Sequence, residues 1–280
     1  PIINKTIDEL FENELIPFKS ACDNGLRSIM VAHILFPEID KNNPSTLSKK
    51  ITNKKSATFS WTNNQGIQFE QEILVDENYM FTIKQKITNN SNKNISLSPV
   101  GKISRTDTPK TQGFFILHEG PIGIIDNVLE EIDYKDLKKN IGPIEYNSKG
   151  GWFGITDKYW LATIIPDQSS NVIARYQFYT KNNKEKYQVD FKGGVVEIPS
   201  NKSITIKNLL YAGAKEIKLL DKYEKEYSIP RLDFAIDFGW YYFLTKPFLY
   251  ILIFFKNISG NFGVSIILLT LLIKLIFFLL

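Results

Sequence analysis

Lys274 is the one ionisable side chain in the run FGVSIILLTLLIKLIFFLL over residues 262–280, where Ser265 and Thr270 are the only other polar groups. A lysine that deep in an apolar helix costs about 2.5 to 3.5 kcal/mol to place in lipid. It must therefore face water or a partner, or snorkel along its four-carbon stem to the headgroups. Little else in the chain offers chemistry. His118 beside Glu119 in LHEGPIGIID has the residue types for acid/base work, and His33 stands in the apolar run IMVAHILF. Asp23, Glu38 and Asp40 read as turn and helix-end residues, because paired-carboxylate chemistry needs spatial separations that the sequence does not supply. One cysteine, Cys22, and two histidines leave no disulfide framework and no Cys/His set for a zinc ion. The expectation is no catalytic residue, no cofactor and no metal. Lys and Arg total 34 against 30 Asp and Glu, a net charge of +4 that is too small and too dispersed for a nucleic-acid partner.

The elements that must position Lys274 divide the chain unevenly. Its 280 residues, 43% hydrophobic, fit one large or two medium domains, and the mean hydropathy of −0.15 averages over very different segments. As a helix, residues 262–280 span about 28 Å against a hydrocarbon core of about 30 Å, which makes residues 259–280 a transmembrane candidate. A buried helix of a soluble protein is the alternative. Before it, DFAIDFGWYYFLTKPFLYILIFFK over residues 233–256 is apolar and aromatic but interrupted by Asp237, Lys246 and Pro247. Trp240, Tyr241 and Tyr242 have apolar bodies and polar tips, the type that collects at the membrane boundary. An amphipathic interfacial helix over residues 229–258 is expected, with a second span as the competing reading, and NISGN at residues 257–261 supplies the turn. Residues 52–228 alternate apolar and polar positions in short runs. GIQFEQEILV and YMFTIKQKIT flank a DEN turn as a hairpin, and ISLSPVGKIS, GFFIL, GGWFGIT, YWLATIIP, VIARYQFYT, KYQVDF and SITIKNLLYAG continue the pattern. That spacing predicts an antiparallel sandwich with helical patches at residues 134–139 and 215–227.

Four ordered stretches carry a family resemblance: GGWFGITDKYWLATIIPD from Gly150, LLYAGAKEIKLLDKY from Leu209, LDFAIDFGWYYFLTKPFLYIL from Leu232 and GNFGVSIILLTLLIK from Gly260. Residues 52–280 resemble the YidC membrane insertase family at the join between its periplasmic domain and its second transmembrane helix. The resemblance implies a mainly β fold, an antiparallel β-supersandwich, followed by an amphipathic helix on the outer membrane surface and a transmembrane helix. It implies a bacterial inner-membrane protein with the β domain in the periplasm. Nascent membrane proteins, the Sec translocon and membrane lipids are the implied partners. In that family a positively charged residue of this helix faces a hydrophilic groove, and Lys274 holds the matching position. The family continues past residue 278 into further core helices, so the chain reads as truncated.

Residues 1–51 differ in kind. An amphipathic pattern at Ile7, Leu10, Phe11, Leu15 and Phe18 leads into an apolar strand from Ile29, a short α/β unit. With ELIPF, MVAH, FPEID and NPSTLSKK, this piece resembles part of the barrel of family-3 glycoside hydrolases, the β-N-acetylhexosaminidases. Such a piece lacks that family's catalytic residues, which leaves His33 as a strand-end residue. Three functional readings follow: part of a membrane protein insertase; a non-functional fusion or decaying gene product carrying a glycosidase remnant; and a glycan-binding β domain, the last by fold analogy alone.

Overall fold

The computed structural model describes residues 56–110 and 117–279. The expected helix and strand of residues 1–51, with Cys22, Asp23, His33, Glu38 and Asp40, lie outside the described residues, as does the GFFIL run apart from Leu117.

Fourteen strands follow one another in the described part: β1 Ser56–Thr62, β2 Ile67–Val75, β3 Met80–Asn89, β4 Ile95–Leu97, β5 Val100–Thr106, β6 Gly120–Ile125, β7 Val128–Glu131, β8 Ile144–Lys149, β9 Trp152–Thr156, β10 Trp160–Ile165, β11 Asn171–Lys181, β12 Lys184–Gly193, β13 Val196–Ile198 and β14 Lys202–Ala214. Every pairing is antiparallel. An eight-stranded sheet runs β1-β2-β3-β14-β10-β9-β6-β7, a four-stranded sheet β5-β12-β11-β8, and β13 pairs with β4 alone. The β2–β3 hairpin follows the alternation directly, and Asp76 Oδ1 closes its turn by accepting from the N–H groups of Asn78 and Met80 at 2.8 and 2.9 Å. Pro99 divides the expected ISLSPVGKIS strand into β4 and β5, as the lack of an N–H requires.

The large sheet is buried on both faces at its centre. From β9, Phe153 and Ile155 pack with Tyr176, Tyr187, Val189 and Phe191 of the four-stranded sheet, under α1 (Tyr134–Lys139). Trp152 turns to the other face, where it meets Tyr211, Ile122 and Ile124 together with Leu220 and Tyr223 of α2 (Ile217–Tyr227). Three layers result: α2, the large sheet, the small sheet. Gly151 allows β6 and β9 to meet, since a Cβ there would lie 2.1 Å from the Ile124 carbonyl oxygen and its φ is +87°.

After α2 a single 3-10 turn occupies Leu232–Ala235, then two helices follow, α3 (Tyr242–Ser259) and α4 (Phe262–Leu279). The expected helix over residues 229–258 therefore begins only at Tyr242. Ile236 is extended, Asp237 Oδ1 accepts the Gly239 N–H at 2.8 Å, and Gly239 has φ +66°, a local turn that a helix cannot contain. Gly260, at φ +71°, caps α3 with its N–H on the Lys256 carbonyl and turns the chain into α4, which touches α3 and buries Ser265 and Leu269. No helix among the described residues is long and apolar enough to cross a membrane. The 18 residues of α4 rise about 27 Å, just short of the roughly 30 Å hydrocarbon core, so the span expected over residues 259–280 is not complete within them.

Candidate functional site

The sandwich is joined to the helical hairpin through a knot of charged and phenolic side chains. α2 lays Ile217, Leu220 and Tyr223 on the sheet, which turns Asp221 and Glu224, three residues apart, onto one flank. The 3-10 turn brings Asp233 beside them. That turn is fixed by the buried Trp152, whose Nε1–H donates to the Pro230 carbonyl at 3.0 Å, and by left-handed backbone at Ser228 and Arg231. From the third side α3 presents Tyr242, Lys246 and Tyr250, spaced by four residues and therefore on one face.

Lys246 Nζ lies 2.5 Å from Asp233 Oδ2, 3.0 Å from Asp221 Oδ1 and 3.0 Å from the Tyr242 hydroxyl oxygen. Tyr242 donates to Asp233 and Tyr250 donates to Asp221. The Asp233 side chain is 3% exposed, and those of Lys246 and Asp221 are 20% and 19% exposed. Burial opposes the Lys246 charge, but hydrogen bonds to Asp233, Tyr242 and Asp221 outweigh it and hold the ammonium above the usual lysine range. Glu224 moves the other way. Burial first, and the neighbouring Asp233 charge second, push its carboxyl above the usual carboxylate range, and its Oε2 is buried without a hydrogen-bond partner. Oxygens of Asp221, Glu224 and Asp233 lie within 4.8 Å of one another, and Lys246 already supplies the cation to two of them. We read the cluster as an internal ion pair network.

A second polar group closes the end of the sandwich near the same linker. Arg105 of β5 forks onto both Asp157 oxygens, at 2.5 and 2.6 Å, and donates to Tyr134 at 2.8 Å, tying the small sheet to the β9–β10 turn. Lys215, its charged form disfavoured by burial, donates to Thr156 Oγ1 at 3.0 Å and feels the charges of Asp157, Asp237, Glu119 and Glu131. The residue types for acid/base work at His118 and Glu119 are not brought together here. His118 Nε2 is 3.0 Å from the Pro121 carbonyl oxygen, while the Glu119 carboxylate accepts the Lys158 N–H at 3.2 Å, so different partners hold the two side chains.

The expected boundary residues divide. Trp240 is 99% exposed and Tyr241 64% exposed, both just before α3. Tyr242 instead packs on Phe234, ring centroids 4.9 Å apart, and gives its hydroxyl to the buried knot. Lys274 is exposed on α4, on the side away from Ser265 and Leu269, which pack toward α3. The knot was not legible as a site in the sequence, where Lys246 and Pro247 register as interruptions of an apolar run. The four-residue spacing of Tyr242, Lys246 and Tyr250 was the available signal.

Comparison with known proteins agrees with this architecture. A protein-family profile described as "YidC periplasmic domain" matches residues 40–251. That match begins inside residues 1–51, the piece resembling a hydrolase, and no comparison supports the hydrolase resemblance. Curated relatives named "Membrane protein insertase YidC" from Rickettsia bellii and Rickettsia felis are each 46% identical over 231 residues, covering 82% of this chain and 41% of theirs. The chain thus spans less than half the length of these curated relatives. Among solved structures, a TPR-domain containing protein from Parabacteroides distasonis covers 56% of this chain and 32% of its own, at 13% identity and TM-score 0.40. A putative aldose 1-epimerase from Klebsiella pneumoniae covers 56% and 49% at 13% identity and TM-score 0.27. At such scores nothing about function carries across. The profile match over well over half of the chain, on a sandwich whose strands and following junction fall within it, establishes that the chain belongs to the YidC family through its periplasmic domain.

Proposed function

We propose that this chain is the periplasmic domain and membrane-entry segment of a membrane protein insertase, acting on nascent membrane proteins at the bacterial inner membrane, alone or beside the Sec translocon. The observation that carries the reading is the family match continuing into α3, a helix whose one polar stripe is locked to the sandwich while its other faces are apolar. In this mechanism α3 lies along the outer membrane surface, with Trp240 and Tyr241 at the headgroups. The knot makes the sandwich and α3 one rigid body. Gly260 then turns the chain into the bilayer, and α4 is the outer part of a spanning helix. Lys274, about twelve residues into that helix, turns away from α3 toward a polar groove completed by the rest of an insertase. Its ammonium attracts acidic hydrophilic stretches of incoming chains and lowers the cost of their passage. No bond is made or broken.

The test is photo-cross-linking from position 274 in a chimera that carries residues 52–280 within a full-length Rickettsia relative. Adducts with a nascent membrane protein bearing an acidic tail, absent at position 272, about 160° around the helix, are expected. Equal yield at both positions would overturn the placement of Lys274.

A further inference from the structure

The β9–β10 turn shows two large side chains to solvent that the sandwich does not use: Tyr159, 63% exposed, and Trp160, 61% exposed. Its backbone is gripped on several sides. Asp157 N–H donates to the Trp160 carbonyl at 2.8 Å and Lys215 N–H to the Tyr159 carbonyl at 2.9 Å. Arg105 holds Asp157 from the small sheet, and Lys215 Nζ holds Thr156 from below. A turn fixed this firmly keeps its aromatic rings in water at a steady hydrophobic cost unless something covers them.

The covering surface is indicated by the neighbourhood and the residue types. The register pairs Gly120 of β6 with Thr156, just before the turn, and Ile122 with Glu131 at the end of β7, and Glu131 lines one cleft with Asp237 and Trp240, so the turn and the linker into α3 lie at the same end of the large sheet. The large exposed side chains of the two segments are Tyr159, Trp160, Trp240 and Tyr241, and none is aliphatic. Tyr and Trp are the side chains that prefer the headgroup layer, with an apolar body and a polar tip. Lys158 adds a cation 5.1 Å from the Tyr159 ring centroid, suited to an anionic lipid headgroup.

We infer that the β9–β10 turn is a second membrane anchor: Tyr159 and Trp160 enter the headgroup layer of the same bilayer on which α3 lies. This rests on the reading of α3 as an interfacial helix. Two contacts, the turn and α3, then set the tilt of the sandwich over the membrane where one would leave it free to pivot.

The test uses the full chain in vesicles of phosphatidylethanolamine and phosphatidylglycerol, in a Cys22→Ser background. An environment-sensitive fluorophore is attached in turn at Tyr159→Cys, Lys158→Cys, Trp240→Cys and Ser169→Cys. Ser169 follows the other end of β10, about 20 Å away for a six-residue strand, and serves as the aqueous reference. Spin-labelled lipids are expected to quench the reporters at 159 and 158 as they do at 240, and to leave 169 unquenched. Quenching at 240 with 159 and 158 as aqueous as 169 would overturn the second anchor and leave the α3 reading intact. Aqueous reporters at 159, 158 and 240 alike would overturn both. Quenching at 169 to the same degree would also overturn the anchor, since the sandwich would then meet lipid without preference for the turn.

Discussion

Asp233 has almost no contact with water, yet Tyr242, Lys246 and the adjoining Asp221 and Glu224 make its position a crowded one. Removing Lys246 would leave two carboxylates without their cation, the situation in which a buried pair becomes costly. Lys246→Met is expected to destabilise the chain by about 3 to 5 kcal/mol in urea unfolding. Tyr250→Phe, which removes one donor to Asp221, is expected to cost about 1 kcal/mol. Glu224 contributes a pH dependence. Its carboxyl is raised in the fold, so the folded chain binds the proton more tightly than the unfolded chain does. The associated stability is complete below the ordinary glutamate pKa and is lost as pH rises through the raised value. Glu224→Gln is therefore expected to flatten the fall in melting temperature above about pH 4.5. An unchanged pH profile would show that Glu224 does not titrate in that range.

The elements differ in how far the sequence revealed them. The β2–β3 hairpin and the patches that became α1 and α2 were legible because each keeps one polar face, so its period is written in the side chains. β6 and β9 are interior strands of the large sheet with every residue buried, and alternation is lost there; β6 escaped notice, while aromatic content marked β9. The division of strands between the eight- and four-stranded sheets was invisible, since period two states which residues share a face but not which sheet they join. The interfacial segment was legible as apolar, but its start was not, because the turn at residues 237–239 depends on one aspartate side chain and one glycine. The knot joins residues 4 to 29 positions apart across three elements, beyond any local pattern. Between the sheets, Arg105 offers a direct check. Arg105→Met is expected to cost about 1 to 3 kcal/mol and to speed amide exchange at Asp157 and Lys215, whose N–H groups close the β9–β10 turn.

At the scale of the whole molecule, a three-layer sandwich leads into two largely apolar helices, the first tied to it through Tyr242, Lys246 and Tyr250. His118 and Glu119 are held by separate structural contacts, and the buried charges gather instead at the join between the sandwich and α3. The central claim is that this arrangement serves insertion of membrane proteins. The most direct measurement places residues 52–280 in a full-length Rickettsia relative and scores insertion of an acidic-tailed membrane protein in cells depleted of their own insertase. Insertion is expected to be restored by the unaltered chimera and lost with Lys274→Glu at equal chimera abundance. Restoration undiminished by Lys274→Glu, or none by the unaltered chimera at normal abundance, would contradict the claim.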